Sequence, residues 1–377
     1  MRARREATMK LETFEMERMQ STWENQVRYN LTESGVHPLT VEEIHPQSLG
    51  GELLGYSQTS GTSRLRELIA TLYHGCGAEN VLVTNGAAEA NFISTWRVVE
   101  PGDTVAVMVP NYMQIWGFAR SLGADVKPLW LRAGNGRWAP DLDGLEKTLK
   151  GGARLVAVCN PNNPTGAILT DGERKSICDM AARAGAWILA DEVYQGAELD
   201  SVTTPSFWGH YDRLFVTSGL SKAYGLPGLR VGWVVSSPET IADLWRYKDY
   251  TTIGPGTLSD LLARAALGRR PQILERTRRI LREQLPIIQA WVSAQAGLFE
   301  MIPPRAGAFA YLRYHLDVSS LSLFERLRDE KGVLVVPGRH FEMEHYLRIG
   351  FGGERDVLEK GLSLISEVLD DVRAEKV

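Results

Sequence analysis

The chain has 377 residues, of which 44% are hydrophobic and 23% charged, with a formal net charge of −4. This composition is typical of a globular protein with one large and one smaller domain, and its interspersed charges give no support for a nucleic-acid partner. No run approaches eighteen consecutive apolar residues, so a membrane span is excluded on length.

The first residues, MRARREATMK, are basic, but they are not followed by the apolar segment that a secretory signal needs. We therefore expect the protein in the cytoplasm. The three cysteines, Cys76, Cys159 and Cys178, are widely separated, and each lies in an apolar run. Buried thiols are expected rather than a disulfide framework, and no metal site is predicted.

Residues 1–45 are predicted to form an N-terminal arm that contains one amphipathic helix. The apolar side chains of this helix recur at roughly helical spacing, and they are Phe14, Met16, Met19, Trp23 and Val27. A second helix is predicted from Thr62 to Tyr73. The run VLVTNGAAEANFISTW then indicates a short strand, a glycine turn and a further helix.

Five further apolar runs predict buried strands separated by helical stretches, and they are TVAVMVP, ARLVAVCN, AWILADE, RLFVTSG and RVGWVVS. This alternation indicates a mainly parallel sheet covered by helices, in a large domain over residues 46–268. A long charged helix over residues 269–295 and strand-like runs beyond it indicate a smaller C-terminal domain over residues 269–377.

One stretch, TSGLSKAYGLPGLRVGW over residues 217–233, indicates chemistry. Lys222 lies eight residues before Arg230, and a lysine amine becomes a covalent catalyst when its charged form is disfavoured. The pattern S-K followed by G-x-R-x-G resembles the lysine motif of class I/II aminotransferases. That resemblance implies the type I pyridoxal phosphate fold, in which Lys222 forms a Schiff base with the cofactor aldehyde.

The resemblance also implies a cup for the phosphate of pyridoxal 5'-phosphate. The turn that opens a helix after VLVT supplies backbone N–H groups to it. Relatives often carry hydroxyls where Ala88 and Gly219 stand, so two side-chain contacts are expected to be missing. Tyr56 matches a tyrosine that reaches the phosphate of a partner subunit, which implies a homodimer with shared active sites. The expected cup is Gly86, Ala87, Ala88, Ser221, Arg230 and Tyr56.

Contacts to the pyridine ring are expected after three other strands, because ligands of open α/β sheets bind at the carboxyl ends of strands. Tyr112 is expected to stack on the ring, although a half-buried turn tyrosine is the alternative. The segment NPNNPTG over residues 160–166 matches a family motif, which implies that Asn163 bonds the phenolic oxygen together with Tyr194. Asp191, a carboxylate at the end of an apolar strand, is expected to pair with the protonated ring nitrogen.

Near the end of the chain, Arg348 in YLRIGFGG resembles the arginine that clamps the α-carboxylate of an amino acid through two parallel hydrogen bonds. A structural ion pair is the alternative for a strand arginine. Asn163 is assigned to the substrate as well as to the cofactor. These assignments predict that the substrate is a small α-amino acid.

The segment YNLTESGVHPLTVEEI and several C-terminal runs depart from a plain aminotransferase. They resemble the capreomycidine synthase group, which dehydrates and cyclises a hydroxylated arginine. On this hypothesis Lys222 removes the Cα proton, His37 is the acid for the departing hydroxyl, Glu17 binds the guanidinium and Ser34 contacts the substrate. A loop histidine is more often simply solvated, and a helix glutamate more often faces water.

Two alternatives remain open. The first is transamination between an amino acid and a 2-oxo acid, for which the same residues would serve. The second is a ligand-sensing domain of a transcription regulator, which the intact Lys222 and Asp191 disfavour. Because this fold supports several reactions, the motifs predict the cofactor better than the reaction.

Overall fold

The computed structural model describes residues 11–200, 202–295 and 297–375. Residues 1–10 lie outside the described residues, and with them the basic start of the chain that was considered as a secretory signal. The helices are α1 (Glu15–Trp23), α2 (Val41–Ile44), α3 (Ser63–Ala70), α4 (Gly86–Val98), α5 (Gln114–Ser121), α6 (Leu142–Lys150), α7 (Asp171–Ala184), α8 (Pro238–Lys248), α9 (Thr257–Gly268), α10 (Arg270–Ala294), α11 (Ser320–Lys331) and α12 (Arg355–Ala374).

The strands follow the apolar runs of the sequence. They are β1 (Tyr29–Asn30), β2 (Val81–Asn85), β3 (Thr104–Val109), β4 (Asp125–Gly134), β5 (Arg137–Pro140), β6 (Leu155–Cys159), β7 (Trp187–Asp191), β8 (Leu214–Gly219), β9 (Val231–Val235), β10 (Phe299–Met301), β11 (Phe309–Tyr314), β12 (Val333–Leu334), β13 (Val336–Pro337) and β14 (Tyr346–Gly350).

The large sheet has the strand order β2-β9-β8-β7-β6-β3-β4-β5. Strands β4, β3, β6, β7 and β8 pair in parallel, whereas β9 runs antiparallel to both of its neighbours. Every residue of β6 and β8 is buried, because helices cover both faces of a parallel sheet and continuous apolar runs then fill it. The predicted fold class, a mainly parallel sheet flanked by helices, is confirmed.

The small sheet has the order β10-β11-β14-β13, and all its pairs are antiparallel. Its strands follow α10, which contains Pro286 and corresponds to the long charged helix predicted over residues 269–295. The N-terminal arm is joined to this part of the protein, because β1 pairs in parallel with β12. The predicted arm therefore does not stand apart, and the domain boundaries at 45/46 and 268/269 stay predictions.

The predicted amphipathic helix is confirmed as α1, in which Met16 and Met19 are buried, but it is shorter than predicted because Phe14 and Val27 lie outside it. The three cysteines are all free thiols. Cys159 and Cys178 are buried as expected, but Cys76 is only partly buried because it lies in the turn after α3. Within the described ranges, no helix has both the length and the apolar character that crossing a bilayer requires.

Candidate active site

A cavity of about 420 Å³ opens where the carboxyl ends of β6, β7 and β8 meet the small sheet and α1. Parallel strands that end at one edge bring their following turns together, which is why separate motifs converge here. Most of the predicted site residues line this cavity, and they are Glu17, Ser34, Ala87, Ala88, Tyr112, Asn163, Asp191, Tyr194, Ser221, Lys222, Arg230 and Arg348.

Lys222 lies in the cavity wall directly after β8. Burial lowers the pKa of its amine, and the positive charges of Arg348 and Arg230 lower it further, while the carboxylates of Glu33 and Glu17 act in the opposite direction. The loop after β1 packs closely on this segment, since a Cβ on Gly35 would lie 3.3 Å from the Ser221 carbonyl oxygen. The site therefore favours a neutral, nucleophilic amine.

Asp191 ends β7 and is only 7% exposed. Its Oδ2 accepts a hydrogen bond of 2.8 Å from the Asn91 side-chain amide, and its Oδ1 accepts one of 3.1 Å from the Val193 backbone N–H. Burial raises the pKa of Asp191, whereas these two hydrogen bonds and the charge of Lys222 lower it. A buried carboxylate that lines the cavity and forms no ion pair with a described residue fits a protonated ring nitrogen.

Arg348 on β14 is 1% exposed, and burial lowers the pKa of its guanidinium. Its two terminal nitrogens donate to Asn163 Oδ1 at 2.8 Å and to the Thr32 carbonyl at 2.6 Å. Its Nε is buried without a hydrogen-bond partner among the described residues. A buried guanidinium in a cavity wall, with one N–H that no described residue accepts from, fits a carboxylate ligand.

Two tyrosines complete the walls of the cavity. The Tyr194 hydroxyl donates to Ser34 Oγ at 2.9 Å, which connects the large domain to the loop after β1. The Tyr112 hydroxyl donates to Glu17 Oε1 at 2.7 Å, and the Phe14 ring packs edge-on against Tyr112 with a centroid distance of 5.0 Å. Helix α1 is therefore held over the cavity by the aromatic ring that was predicted to stack on the cofactor.

The predicted phosphate cup consists largely of backbone at the start of α4. Gly86 begins α4 with a φ of +77°, and a Cβ there would lie 2.5 Å from the Arg230 guanidinium. A Cβ on Gly232 would overlap the backbone of Gly86 and Ala87, so β9 and the start of α4 approach as closely as glycine permits. Backbone N–H groups at the start of a 13-residue helix, with an arginine beside them, fit a phosphate group.

The hydroxyl expected to be missing at Gly219 has a steric cause. A Cβ at Gly219 would lie 2.9 Å from the Val231 carbonyl oxygen and 3.2 Å from the Gly232 Cα. A serine does not fit beside β9 at this position. The backbone N–H groups and Arg230 are therefore the groups left for the predicted phosphate contact at this position.

We predict that Gly232→Ala prevents stable cofactor binding, because the added methyl must push the start of α4 away from Arg230. The same overlap costs about 1–3 kcal/mol of the free energy of unfolding. Equilibrium dialysis with pyridoxal phosphate and thermal unfolding measure the two effects. The matched control is Gly228→Ala, where a Cβ meets nothing within 4 Å; equal losses in both variants would contradict this account of the cup.

Three predicted site residues do not line the cavity, and they are Gly86 at the start of α4, Tyr56 and His37. Tyr56 is 100% exposed on the described chain. The His37 backbone N–H donates to the Gly352 carbonyl, and the His37 Nε2 lies 3.6 Å from a Glu354 carboxylate oxygen. His37 does not line this cavity, and its assignment as the acid stays a prediction.

Three carboxylates that face the cavity from its N-terminal side form an acidic cluster, defined as Glu17, Glu24 and Glu33. None of the three has a cationic nitrogen of a described residue within 4.0 Å, although the charges of Glu17 and Glu33 act on Lys222 and Arg348. Burial, followed by the charges of Glu33 and Glu17, raises the pKa of Glu24. Glu24 and Glu33 were missed from the sequence, although Glu24 follows Glu17 by seven residues and so lies on the same helix face.

The family model for aminotransferase class I and II matches residues 24–365. Among curated proteins, capreomycidine synthase from Streptomyces vinaceus is 35% identical over 356 residues, covering 91% of this chain and 90% of that protein. The aspartate aminotransferase of Thermococcus kodakarensis is 28% identical over 331 residues, covering 88% of this chain and 84% of the relative.

Solved structures agree with these matches. A PLP-dependent aminotransferase from Streptococcus suis superposes with a TM-score of 0.90 at 33% identity, over 96% of this chain and 99% of that one. The PLP-dependent cyclase OrfR superposes with a TM-score of 0.86 at 26% identity, over 98% of this chain and 99% of the other. The long matches extend over both the large and the small sheet.

Proposed function

The chain belongs to the aminotransferase class I and II family, and from that premise we propose that it eliminates water from a hydroxylated arginine and closes a ring. It is a pyridoxal phosphate enzyme, as its family and relatives are. The finer proposal is supported by the 35% identity to capreomycidine synthase and by the likeness to the cyclase OrfR. The observation that carries it is the charge pattern of the cavity.

That pattern is bipolar. On one side, Arg348 has a buried guanidinium whose Nε has no hydrogen-bond partner among the described residues. On the other, the acidic cluster brings three carboxylates to the cavity, and the charges of Lys222 and Arg348 interact with only two of them, Glu17 and Glu33. Unpaired like charges at one site are unfavourable unless a ligand of opposite charge joins them. An α-amino acid with a cationic side chain is complementary to both sides.

Each residue then has a proposed task. Lys222 holds the cofactor aldehyde covalently and moves the Cα proton. Tyr112 covers the ring, while Asn163 and Tyr194 bind its phenolic oxygen. Bound pyridoxal phosphate supplies an electron sink for the substrate's Cα. The remaining cofactor contacts are proposed at Gly86, Ala87, Ala88, Asp191, Ser221 and Arg230.

The substrate contacts use the two charged sides. Arg348 orients the α-carboxylate, and Asn163 holds Arg348 through the bond of 2.8 Å. The acidic cluster binds the guanidinium and so directs the side chain away from the phosphate cup. Loss of the Cα proton and of a side-chain hydroxyl releases one water. A guanidine nitrogen then adds to the unsaturated carbon and Cα regains a proton, so the net change is the loss of water.

A second function, transamination, is favoured by the family itself and by the relative from Thermococcus kodakarensis. The same Lys222, Asp191 and Arg348 would serve it. The acidic cluster argues against an acidic amino acid as the substrate, because a side-chain carboxylate would enter a site that already holds three. If the protein is a transaminase, its amino-acid substrate is therefore expected to carry a cationic side chain.

We propose a homodimer with shared active sites. Tyr56, Leu53 and Leu54 are 100%, 87% and 76% exposed on one loop. Three large side chains so exposed in a single loop are characteristic of a surface that a partner covers. A second copy would cover them, and Tyr56 would then reach the phosphate cup of that copy.

The functional assay uses purified protein with arginine, its hydroxylated forms and common amino acids, with and without 2-oxoglutarate, and the products are weighed by mass spectrometry. Loss of water from a hydroxylated arginine without any oxo acid supports cyclisation. A product that forms only when an oxo acid is supplied supports transamination and overturns the cyclase proposal. Consumption of oxygen also contradicts it, since no oxidant enters the proposed reaction.

We predict that Glu24→Gln raises KM for the cationic substrate about tenfold, because the guanidinium loses one hydrogen bond to a charged carboxylate. Steady-state kinetics on substrates with charged and with neutral side chains measure the difference. The matched control is Glu15→Gln, since Glu15 lies on the same helix but does not line this cavity. An equal effect of Glu24→Gln on neutral amino acids would show that the acidic cluster does not recognise the side chain.

A further inference from the structure

A buried chain of hydrogen bonds runs behind the proposed cofactor site. The Thr217 hydroxyl on β8 donates to Asn91 Oδ1 at 2.6 Å, and Asn91 Nδ2 donates to Asp191 Oδ2 at 2.8 Å. Asn91 is 2% exposed and Thr217 is fully buried. No motif of the sequence pointed to Asn91 or Thr217.

The orientation of the Asn91 amide follows from Asp191, because an ionised carboxylate can only accept hydrogen bonds. The Asn91 NH₂ group therefore faces Asp191, and the Asn91 oxygen is left to accept the hydrogen of the Thr217 hydroxyl. The bond from Thr217 stabilises this orientation of the amide. Thr217 itself is set opposite Asp191, because the two residues are paired in register between β7 and β8.

Asp191 needs such a donor. Its carboxylate is buried, and burial favours the neutral acid, which could not stabilise a positive charge on a ring nitrogen. The bond from Asn91 stabilises the ionised form, and it leaves Asp191 open to the cavity that both residues line. In a buried network each such bond is stronger than in water.

Helix α4 adds a geometric constraint. It begins at the phosphate cup and carries Asn91 in its second turn, so one rigid element connects both ends of the proposed cofactor site. The Glu89 carboxylate anchors this helix start by accepting from the Asn85 N–H at 2.5 Å and from the Thr252 hydroxyl at 2.8 Å. Movement of the amide away from Asp191 would require movement of the cup.

We propose that Asn91 is a positioning residue, oriented by Thr217, that keeps Asp191 ionised and aimed at the cofactor's ring nitrogen. The proposal rests on pyridoxal phosphate binding and on the proposed role of Asp191, and it is independent of the substrate and of the reaction. Without the Asn91 donor, the Asp191 carboxylate becomes the more basic partner. The proton that the ring nitrogen and Asp191 share then shifts toward the carboxylate.

The test uses holoenzyme loaded with pyridoxal phosphate labelled with nitrogen-15 in the ring, and it measures the chemical shift of that nitrogen by NMR. The wild type is expected to show a protonated ring nitrogen near neutral pH. Asn91→Leu, which keeps the size of the side chain but removes the donor, is expected to move the shift toward that of neutral pyridine. Turnover is expected to fall about 10- to 100-fold, because the variant loses one hydrogen bond to a charged group.

Thr217→Val is a second variant that leaves the Asn91 amide in place but removes its orienting bond, and a smaller change in the same direction is expected. The matched control is Thr95→Val on α4, because Thr95 is a buried threonine whose hydroxyl has no partner in the described structure. An unchanged nitrogen shift in a folded Asn91→Leu variant overturns the proposal. If that variant does not fold, an unchanged shift in Thr217→Val overturns it.

Discussion

Replacing Lys222 with alanine is expected to lower kcat by about 10⁴-fold or more, because the variant loses both the covalent attachment of the cofactor and the proposed base for the Cα proton. Cofactor retention should persist in part, since the phosphate cup and Asp191 are unchanged. Turnover of a hydroxylated arginine and the cofactor content after gel filtration measure the two effects. A variant with more than a few per cent of wild-type turnover would contradict the role of Lys222.

Subunit mixing uses the same Lys222→Ala variant to test the proposed shared site. On the proposed homodimer, co-expressed Lys222→Ala and Tyr56→Ala chains are expected to form hybrids, and a shared site predicts one intact site in each hybrid. Turnover above that of either parent variant is the expected result. If Tyr56→Ala alone is fully active, or if mixing restores nothing, the proposed contribution of Tyr56 to the partner's cup is wrong.

The second large effect is expected at Arg348. We predict that Arg348→Lys raises KM about 100-fold, because lysine keeps the charge but loses the planar fork that binds a carboxylate through two N–H groups. Steady-state kinetics on an amino acid and on its decarboxylated amine measure this effect. The loss should be confined to the amino acid, since the amine has no carboxylate to bind.

The matched control for this variant is Arg313→Lys. Arg313 lies on the adjacent strand β11 with an exposed side chain, 3.6 Å from Glu300. This variant is expected to be within about twofold of wild type, as is usual for exposed ion pairs. If Arg348→Lys weakens the acid and the amine equally, Arg348 supports the fold of β14 and does not clamp the substrate.

Much of the cavity wall follows from the sequence for a physical reason. Asn163, Asp191 and Lys222 each follow or end a buried parallel strand, and parallel neighbours end at one edge. Their approach to one another therefore needs only the strand pattern. The sequence shows that Gly219 lacks a hydroxyl. The steric reason for a glycine there is visible only in the structure, because it depends on the position of β9 beside it.

The residues contributed by the arm could not be inferred in this way. The arm is held by a two-residue strand, β1, that pairs with β12 some three hundred positions later, and such a short strand has no periodic signal. Whether Glu33 lines the cavity and His37 does not is decided by these tertiary bonds. Asn91 was missed for a similar reason, since its partners Asp191 and Thr217 lie on two strands far along the chain.

The most direct test of the whole account is chemical reduction of the wild-type protein loaded with pyridoxal phosphate. Borohydride should convert the attachment into a stable bond, and peptide mass mapping should find the added pyridoxyl mass on Lys222. Recovery of unmodified Lys222 peptide, or of the label on another lysine, would contradict the account.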